Sequence, residues 1–435
     1  MHRITYKKTW STGSGLYFPD QILLRKTDLL ELTVRWEECQ KILESCLRQA
    51  EALGDRELRA AIHNKQGWIF SLQGLYDKAL EACESSMRLY VETGNLEGQA
   101  ACAGNVGRVY TERGEYPRAI ERFLFQRSVA ENSGDRRGLA RILGNIGINL
   151  MYQGKYPEAM EYLRQMLELS QSQGDLRNTA TAQGNIGMVM MYQGEYQAAL
   201  EKFGLQRETA GRIGDTRLVL HAMISIGNIY EVQEKLKEAL DIFTGTLTLA
   251  QTLGDRRNIG YSLANLGYVH LTLGKYNEAE KYLIEQLAMA GEMDDKRSLN
   301  FAYSNLGGVY LETGRFDQAA AAYQKRLEIA EALGDRQNIG AARLELGILH
   351  QKMDEPDPAE ENLDQAEQIS RELKDGLTLF KALTVHAEML LDMQKMDQAA
   401  IKLDEAAALA DKAGQPEMKA KTEKLLIRLK DQANT

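Results

Sequence analysis

Gly134-Asp135, Gly174-Asp175, Gly214-Asp215, Gly254-Asp255 and Gly334-Asp335 stand about 40 residues apart, and Asp294-Asp295 fills the one gap between them. Read outward, the same column takes in Gly54-Asp55 and Gly94-Asn95, then Lys374-Asp375 and Gly414-Gln415, with no insertion shifting the register. A fixed period of this length marks stacked repeats, so the 435 residues read as one array rather than two or three globular domains. Glycine supplies the left-handed residue that ends one helix, and the following Asp caps the free N–H groups of the next.

Four more columns keep the same step. Gly67, Gly107, Gly147, Gly187, Gly227, Gly267, Gly307 and Gly347 form one. Gly74, Gly114, Gly154, Gly194, Gly274 and Gly314 form a second, with Glu234 and Asp354 as exceptions. Tyr76, Tyr116, Tyr156, Tyr196, Tyr276 and Phe316 form an aromatic column that Leu236 interrupts. Ala79, Ala119, Ala159, Ala199, Ala239, Ala279, Ala319, Ala359 and Ala399 form a column without a break. The second column sits mid-repeat, and Pro117 and Pro157 follow it where a first helical turn tolerates proline. Each repeat therefore predicts two antiparallel helices, A from the Asp to the mid-repeat Gly and B from there to the next Gly-Asp. The Gly107 column lies inside helix A, where glycine costs about 1 kcal/mol against alanine. Close approach of the all-Ala column of helix B is the expected reason.

Residues 1–20 lack periodicity and are expected to be a flexible leader. Residues 21–53 read as a worn first repeat, because Trp36 and Cys39 fall in the columns that later hold Tyr and Ala. The solenoid is expected over 21–413, with a weak point near 351–360 where Asp354, Pro356 and Pro358 disturb the pattern. A capping helix is expected from about Pro416 to Lys430, within a 414–435 tail segment, carrying Met418, Leu425, Leu426 and Leu429.

The run Asn105-Val106-Gly107 with Tyr110, Gly114, Tyr116 and Ala119 resembles the tetratricopeptide repeat, as does Asn305-Leu306-Gly307 with Tyr310, Gly314, Phe316 and Ala319. The usual period of about 34 residues is lengthened here to about 40. The long form is similar to arrays in Pins-type polarity scaffolds, kinesin light chains and bacterial signalling proteins such as cyclases and STAND-type NTPases. The resemblance implies an all-α fold, a right-handed α-solenoid of about nine to ten helix pairs, and a trade in binding proteins or peptides. The aromatic usually found four residues before the helix-A Gly is mostly missing (Ala103, Leu143, Gln183, Met223).

Charge and motifs narrow the function. Against 62 Asp and Glu stand 53 Lys and Arg, a formal net charge of −9, which disfavours nucleic acid and anionic membranes as partners. No apolar run is long enough to span a bilayer, and the polar N-terminus lacks the core of a secretory signal. Cys39, Cys46, Cys83 and Cys102 form no CxxC pair and read as buried free thiols, which suits a cytoplasmic setting. Gly154-Lys155 and Gly274-Lys275 hint at a phosphate loop, but Asn149 and Val269 stand where its first glycine belongs. His63, His221, His270, His350 and His386 have no metal-ligand spacing. No enzyme, metal site or cofactor is expected.

At about 100° per residue, Ala103, Val106, Gly107 and Tyr110 share one side of helix A and must pack. In tetratricopeptide arrays the opposite side lines the concave surface. There the column Asn105, Asn145, Asn185, Ser225, Asn265, Asn305, Glu345 offers amides that pair with a peptide backbone whatever its sequence, or that hold their own repeats together. Beside it stand Ile148, Met151, Tyr152, Met188, Met191, Tyr192, His221, Tyr261, Tyr268, Phe301 and Leu311, a wall for an apolar ligand or in part helix–helix core. Gly104, Gly144, Gly184, Ala264 and Ser304 are expected to leave room for a chain. Arg108, Arg141 and Lys352 suit acidic ligand groups; Glu112, Glu231 and Glu312 suit basic ones; Arg136-Arg137 and Arg256-Arg257 are expected to be solvated. Two functions follow: a scaffold holding a partner's extended or helical segment in the groove, or a regulatory, sensor or self-associating module of a larger signalling system. An RNA-binding role is disfavoured by the acidic balance.

Overall fold

The computed structural model describes residues 36–433, and its regular structure is helical throughout. A single helix α1 (Trp36–Ala52) comes first. Nine A/B pairs follow: α2 (Arg56–Leu72) with α3 (Tyr76–Glu92), α4 (Leu96–Glu112) with α5 (Tyr116–Ser133), and α6 (Arg136–Tyr152) with α7 (Tyr156–Ser172). Then come α8 (Leu176–Tyr192) with α9 (Tyr196–Arg212), α10 (Thr216–Val232) with α11 (Leu236–Leu253), and α12 (Arg256–Thr272) with α13 (Tyr276–Glu292). The last pairs are α14 (Lys296–Glu312) with α15 (Phe316–Leu333), α16 (Arg336–Lys352) with α17 (Pro356–Leu373), and α18 (Gly376–Asp392) with α19 (Met396–Ala413). A final helix, α20, spans Pro416–Ala433. The leader at 1–20 and the first half of the worn repeat, 21–35, lie outside the described residues.

The turns follow the sequence column by column. Glycines at both turn positions take φ between 62° and 78°. Behind them run the bonds of a Schellman close, for example Asp135 N–H to Ala130 O at 3.0 Å and Glu115 N–H to Tyr110 O at 2.8 Å. The Asp after each helix-B turn then caps helix A, as where Asp135 Oδ1 accepts from Gly138 N–H at 2.9 Å. Where glycine is absent, Glu234, Asp294, Asp354, Lys374 and Gln394 are driven into the same left-handed region. The expected weak point near 351–360 keeps this geometry: Asp354 takes φ 59° and helix α17 begins at Pro356. Pro356 and Pro358 fall in the first turn, whose N–H groups have no intrahelical acceptor to lose.

The chain divides into two compact units inside α4, one up to Val106 and one from Gly107. In the first, Cys39, Leu43, Cys46 and Ala50 of α1 pack on Leu58, Ile62 and Ile69 of α2. All four cysteines are buried. Burial pushes the Cys102 thiol up to about 11, though it donates to Ser86 Oγ at 3.0 Å. In the second unit the core repeats with the period, as where Ala239 and Phe243 meet Leu266 and Val269. Helix α20 lays Met418 on Leu379, Phe380 and Ala406, and Leu425 on Leu390, Leu391 and Leu403.

The glycine inside helix A faces something other than expected. A Cβ at Gly107, Gly187 or Gly227 would meet the ring of Phe123, Phe203 or Phe243; at Gly147 and Gly347 it would meet Leu163 and Leu363. The partner is thus the large residue four positions after the alanine, seated in a hole the glycine leaves open. The alanine backbone is the second neighbour, as with Ala159 O at 3.3 Å from the position at Gly147.

Candidate functional site

Each helix A turns a stripe away from helix B, and one helical turn separates its successive positions. In the second unit, Arg141 and His221 are exposed, and Ile148, Met188 and Arg108 are half-buried. Tyr152, Tyr192, Tyr261, Tyr268 and Phe301 each leave between 41% and 53% of their surface open. Yet burial pushes the Tyr152 phenol up to about 12, with Tyr192, Tyr116 and Glu112 adding to it. Burial likewise raises Tyr192, Tyr261 and Tyr268 and lowers His221. These side chains are thus partly open to solvent and partly hemmed by neighbouring protein. The Tyr152 ring stacks on Tyr116 with centroids 5.2 Å apart.

The amide column splits. In the first unit, Asn105 Nδ2 donates to Asn64 O at 3.2 Å and Asn64 Oδ1 at 2.7 Å, so this member ties one repeat to the preceding one. Glu345 does the same for Ser304, accepting from its hydroxyl at 2.7 Å. Asn145, Asn185, Asn265 and Asn305 are half-buried. Among the described residues their side-chain amides have no hydrogen-bond partner in the protein.

Several expectations for this face are corrected. Met151 and Leu311 are core rather than wall, and Met188 and Met191 pack partly on the Phe203 cluster. Gly144 and Gly184 are buried and offer no open floor: Met166 Sδ lies 2.8 Å from a Cβ built at the first, and Gln206 Oε1 lies 2.5 Å from one at the second. Lys352 and Glu312 pair with each other at 3.1 Å. Glu231 has no ion-pair partner among the described residues, and burial raises its carboxyl. Arg136, Arg137, Arg256 and Arg257 beside the caps are exposed, as expected, and two of them also form ion pairs. Arg256 meets Glu292, and Arg137 Nε lies 3.5 Å from Asp175 Oδ2.

Sequence reasoning passed over two features. One is the recurrence of Arg137, Arg177, Arg217, Arg257 and Arg297 at the repeat step, one turn before Arg141, His221, Tyr261 and Phe301 on the same face. The other is an ion pair across the second unit, Arg297 Nη1 to Glu112 Oε2 at 2.7 Å, which joins α14 to the end of α4. Asp364, Glu367 and His386 also bring possible ligand atoms within 4.8 Å of one another. The Lys402 ammonium already stands among them, 3.3 Å from Asp364 Oδ1 and 2.8 Å from Glu367 Oε2, so the cluster is an ion-pair network.

The comparisons with known proteins come down on the repeat. The tetratricopeptide-repeat family model matches residues 71–124, 138–204, 218–292 and 298–372. The chain belongs to the tetratricopeptide-repeat family. Its long-period arrays are similar in fold to a Rap protein solved in complex with competence and sporulation factor (TM-score 0.53, 14% identity, 95% of this chain and 100% of that one). They also resemble aspartyl phosphate phosphatase F from Bacillus subtilis (TM-score 0.52, 13% identity, 82% and 96%). A third likeness is to the apo quorum sensor NprR from B. thuringiensis (TM-score 0.51, 14% identity, 80% and 98%). No curated protein matches in sequence. At these identities the likeness concerns the fold, an α-solenoid of tetratricopeptide repeats. Among the described residues no helix is long and apolar enough to cross a membrane.

Proposed function

We propose that the chain is a non-catalytic interaction module whose helix-A face holds an extended segment of a protein or peptide. The observation that carries this is the register of Asn145, Asn185, Asn265 and Asn305: half-buried amides in one column, with Ser225 in the single gap, each without a hydrogen-bond partner among the described residues. An amide both donates and accepts, so such a ladder matches the alternating N–H and C=O groups of an extended backbone. Tyr152, Tyr192, Tyr268 and Phe301 flank the ladder and supply apolar area for side chains at small entropic cost. Asn105 stands outside this role because Asn64 already uses it. Two similar folds are described as a quorum sensor and as a Rap protein in complex with competence and sporulation factor. That analogy is compatible with ligand capture and lends no ligand identity.

The test is capture of peptides from a displayed library by the full chain and by a variant carrying Asn145→Ala, Asn185→Ala and Tyr192→Arg. The variant should keep its helical circular dichroism and lose the captured set. Undiminished capture with the fold intact would remove the groove from the mechanism.

A further inference from the structure

Resting on that reading, we infer that the segment taken by the groove is acidic along one edge and apolar along the other. The carrying observation is the arginine column. Arg137, Arg177 and Arg217 place Nε at 3.5, 3.0 and 3.7 Å from Oδ2 of Asp175, Asp215 and Asp255, the cap of the following helix A. Each of these carboxylates is already committed. Oδ1 accepts the backbone N–H of Asn178, Leu218 or Asn258, and Oδ2 of Asp175 and Asp255 also accepts from an Asn side chain.

The arginine ends are the reverse. A guanidinium has five N–H donors, and here the contact with the cap is an ion-pair approach that uses none of them in a hydrogen bond. Among the described residues the guanidinium groups of these three side chains make no hydrogen bond. The arginine side chains are 54–71% exposed while their Asp partners are 15–16% exposed. A cap buried in its turn thus holds an exposed fork of donors beside it by charge, with those donors left to meet a carboxylate.

The column also shows its own occupied state. Arg297 turns from the next cap, Asp335, and pairs with Glu112 from α4 instead. Tyr261 lies at this point, its phenol feeling Arg257, Arg297 and Glu112. Glu112 is an acidic side chain of the chain itself seated on the last arginine, as an acidic ligand would be.

General helix packing gives the expected spacing. Packed helices lie about 8–10 Å apart, and three residues of an extended polyproline-type chain, at about 3.1 Å each, cover nearly the same distance. One acidic residue in three meets successive arginines while the opposite edge faces Tyr152 and Tyr192. A nucleic acid shares the negative charge but has neither the amide backbone for the Asn ladder nor a reason to approach Glu112 and a chain of net charge −9.

The experiment uses fluorescein-labelled synthetic 12-residue peptides with Glu at every third position and Leu or Phe opposite, beside twins carrying Gln or Lys for Glu. Fluorescence anisotropy with the full chain should give at least tenfold tighter binding of the Glu peptide than of its Gln twin, falling as salt rises. A triple variant Arg137→Gln, Arg177→Gln, Arg217→Gln should abolish that preference and leave the Gln peptide's affinity unchanged. Equal binding of Glu and Gln peptides, or a single-stranded RNA 12-mer displacing the Glu peptide, would overturn the acidic assignment and leave the groove standing. Binding that survives loss of Asn145, Asn185 and Tyr192 would instead fell the groove reading, and failure of all three peptides to bind would fell both.

Discussion

Replacing Gly227 by alanine ought, on helix propensity alone, to stabilise helix α10 by about 1 kcal/mol. The structure reverses the sign. A Cβ at Gly227 would lie 2.4, 2.7 and 2.9 Å from three atoms of the Phe243 ring, and that ring is fully buried. Overpacking a filled core costs about 1–3 kcal/mol, and a rigid ring with no free direction belongs at the upper end. The net expectation is a loss of about 2 kcal/mol once the propensity gain of about 1 is subtracted. Two comparisons grade it. Gly187→Ala meets Phe203 at 3.0–3.2 Å and should come out near neutral. Gly204→Ala, mid-helix in α9 with nothing within 4 Å, should gain stability. The ninth repeat carries Ala387 opposite Leu403, so Gly227→Ala with Phe243→Leu recreates a pairing the chain already uses. The double variant should lose less than the sum of the singles, with a coupling of about 1 kcal/mol or more. Urea melts by circular dichroism give the midpoints, and amide exchange in α10 and α11 localises the change, since repeat arrays need not unfold in one step. A Gly227→Ala midpoint that rises in step with Gly204→Ala would refute the knob-and-hole account of the whole column.

The buried network of the last repeats has its own signature in pH. Burial raises the Glu367 carboxyl, but hydrogen bonds from His386 at 2.8 Å and Lys402 at 2.8 Å outweigh it and hold the pKa below the usual range. A carboxyl depressed in the folded state stabilises above its unfolded pKa, near 4.3–4.5, and that contribution is lost as pH falls through the folded value. Glu367→Gln should therefore cost about 2–3 kcal/mol at pH 7, because it leaves Lys402 short of its main partner, and the gap to wild type should shrink below about pH 4.5. A pH-independent gap in urea midpoints would count against the assignment. At the mid-repeat turn, Glu234 sits at φ 57° where six sister repeats have glycine. Glu234→Gly should relieve strain of about 1 kcal/mol and raise the thermal midpoint, and a lowered one would mean the side chain contributes more than the strain removes.

What the sequence made legible is what depends on one residue at one place. Left-handed turns, Asp caps and the A/B alternation each follow from a residue type recurring at a fixed step, and the structure has them at those positions. The partner of the helix-A glycine was harder, because the facing column holds Cys83, Phe123, Leu163, Phe203, Phe243, Leu283, Tyr323 and Leu363. Its members share bulk rather than identity, so the unbroken alanines beside it drew the eye although they are the lesser contact. The arginine column was visible as letters, but its meaning lies in pairing with a cap 38 residues ahead, and that distance is one stacked repeat. Arg297 and Glu112 are further removed, separated by 185 positions. Their meeting depends on the small rotation between neighbouring repeats added up over several of them. No local pattern encodes that sum, which is why a repeat sequence states its brick plainly and leaves the contacts between distant repeats to be read from the structure.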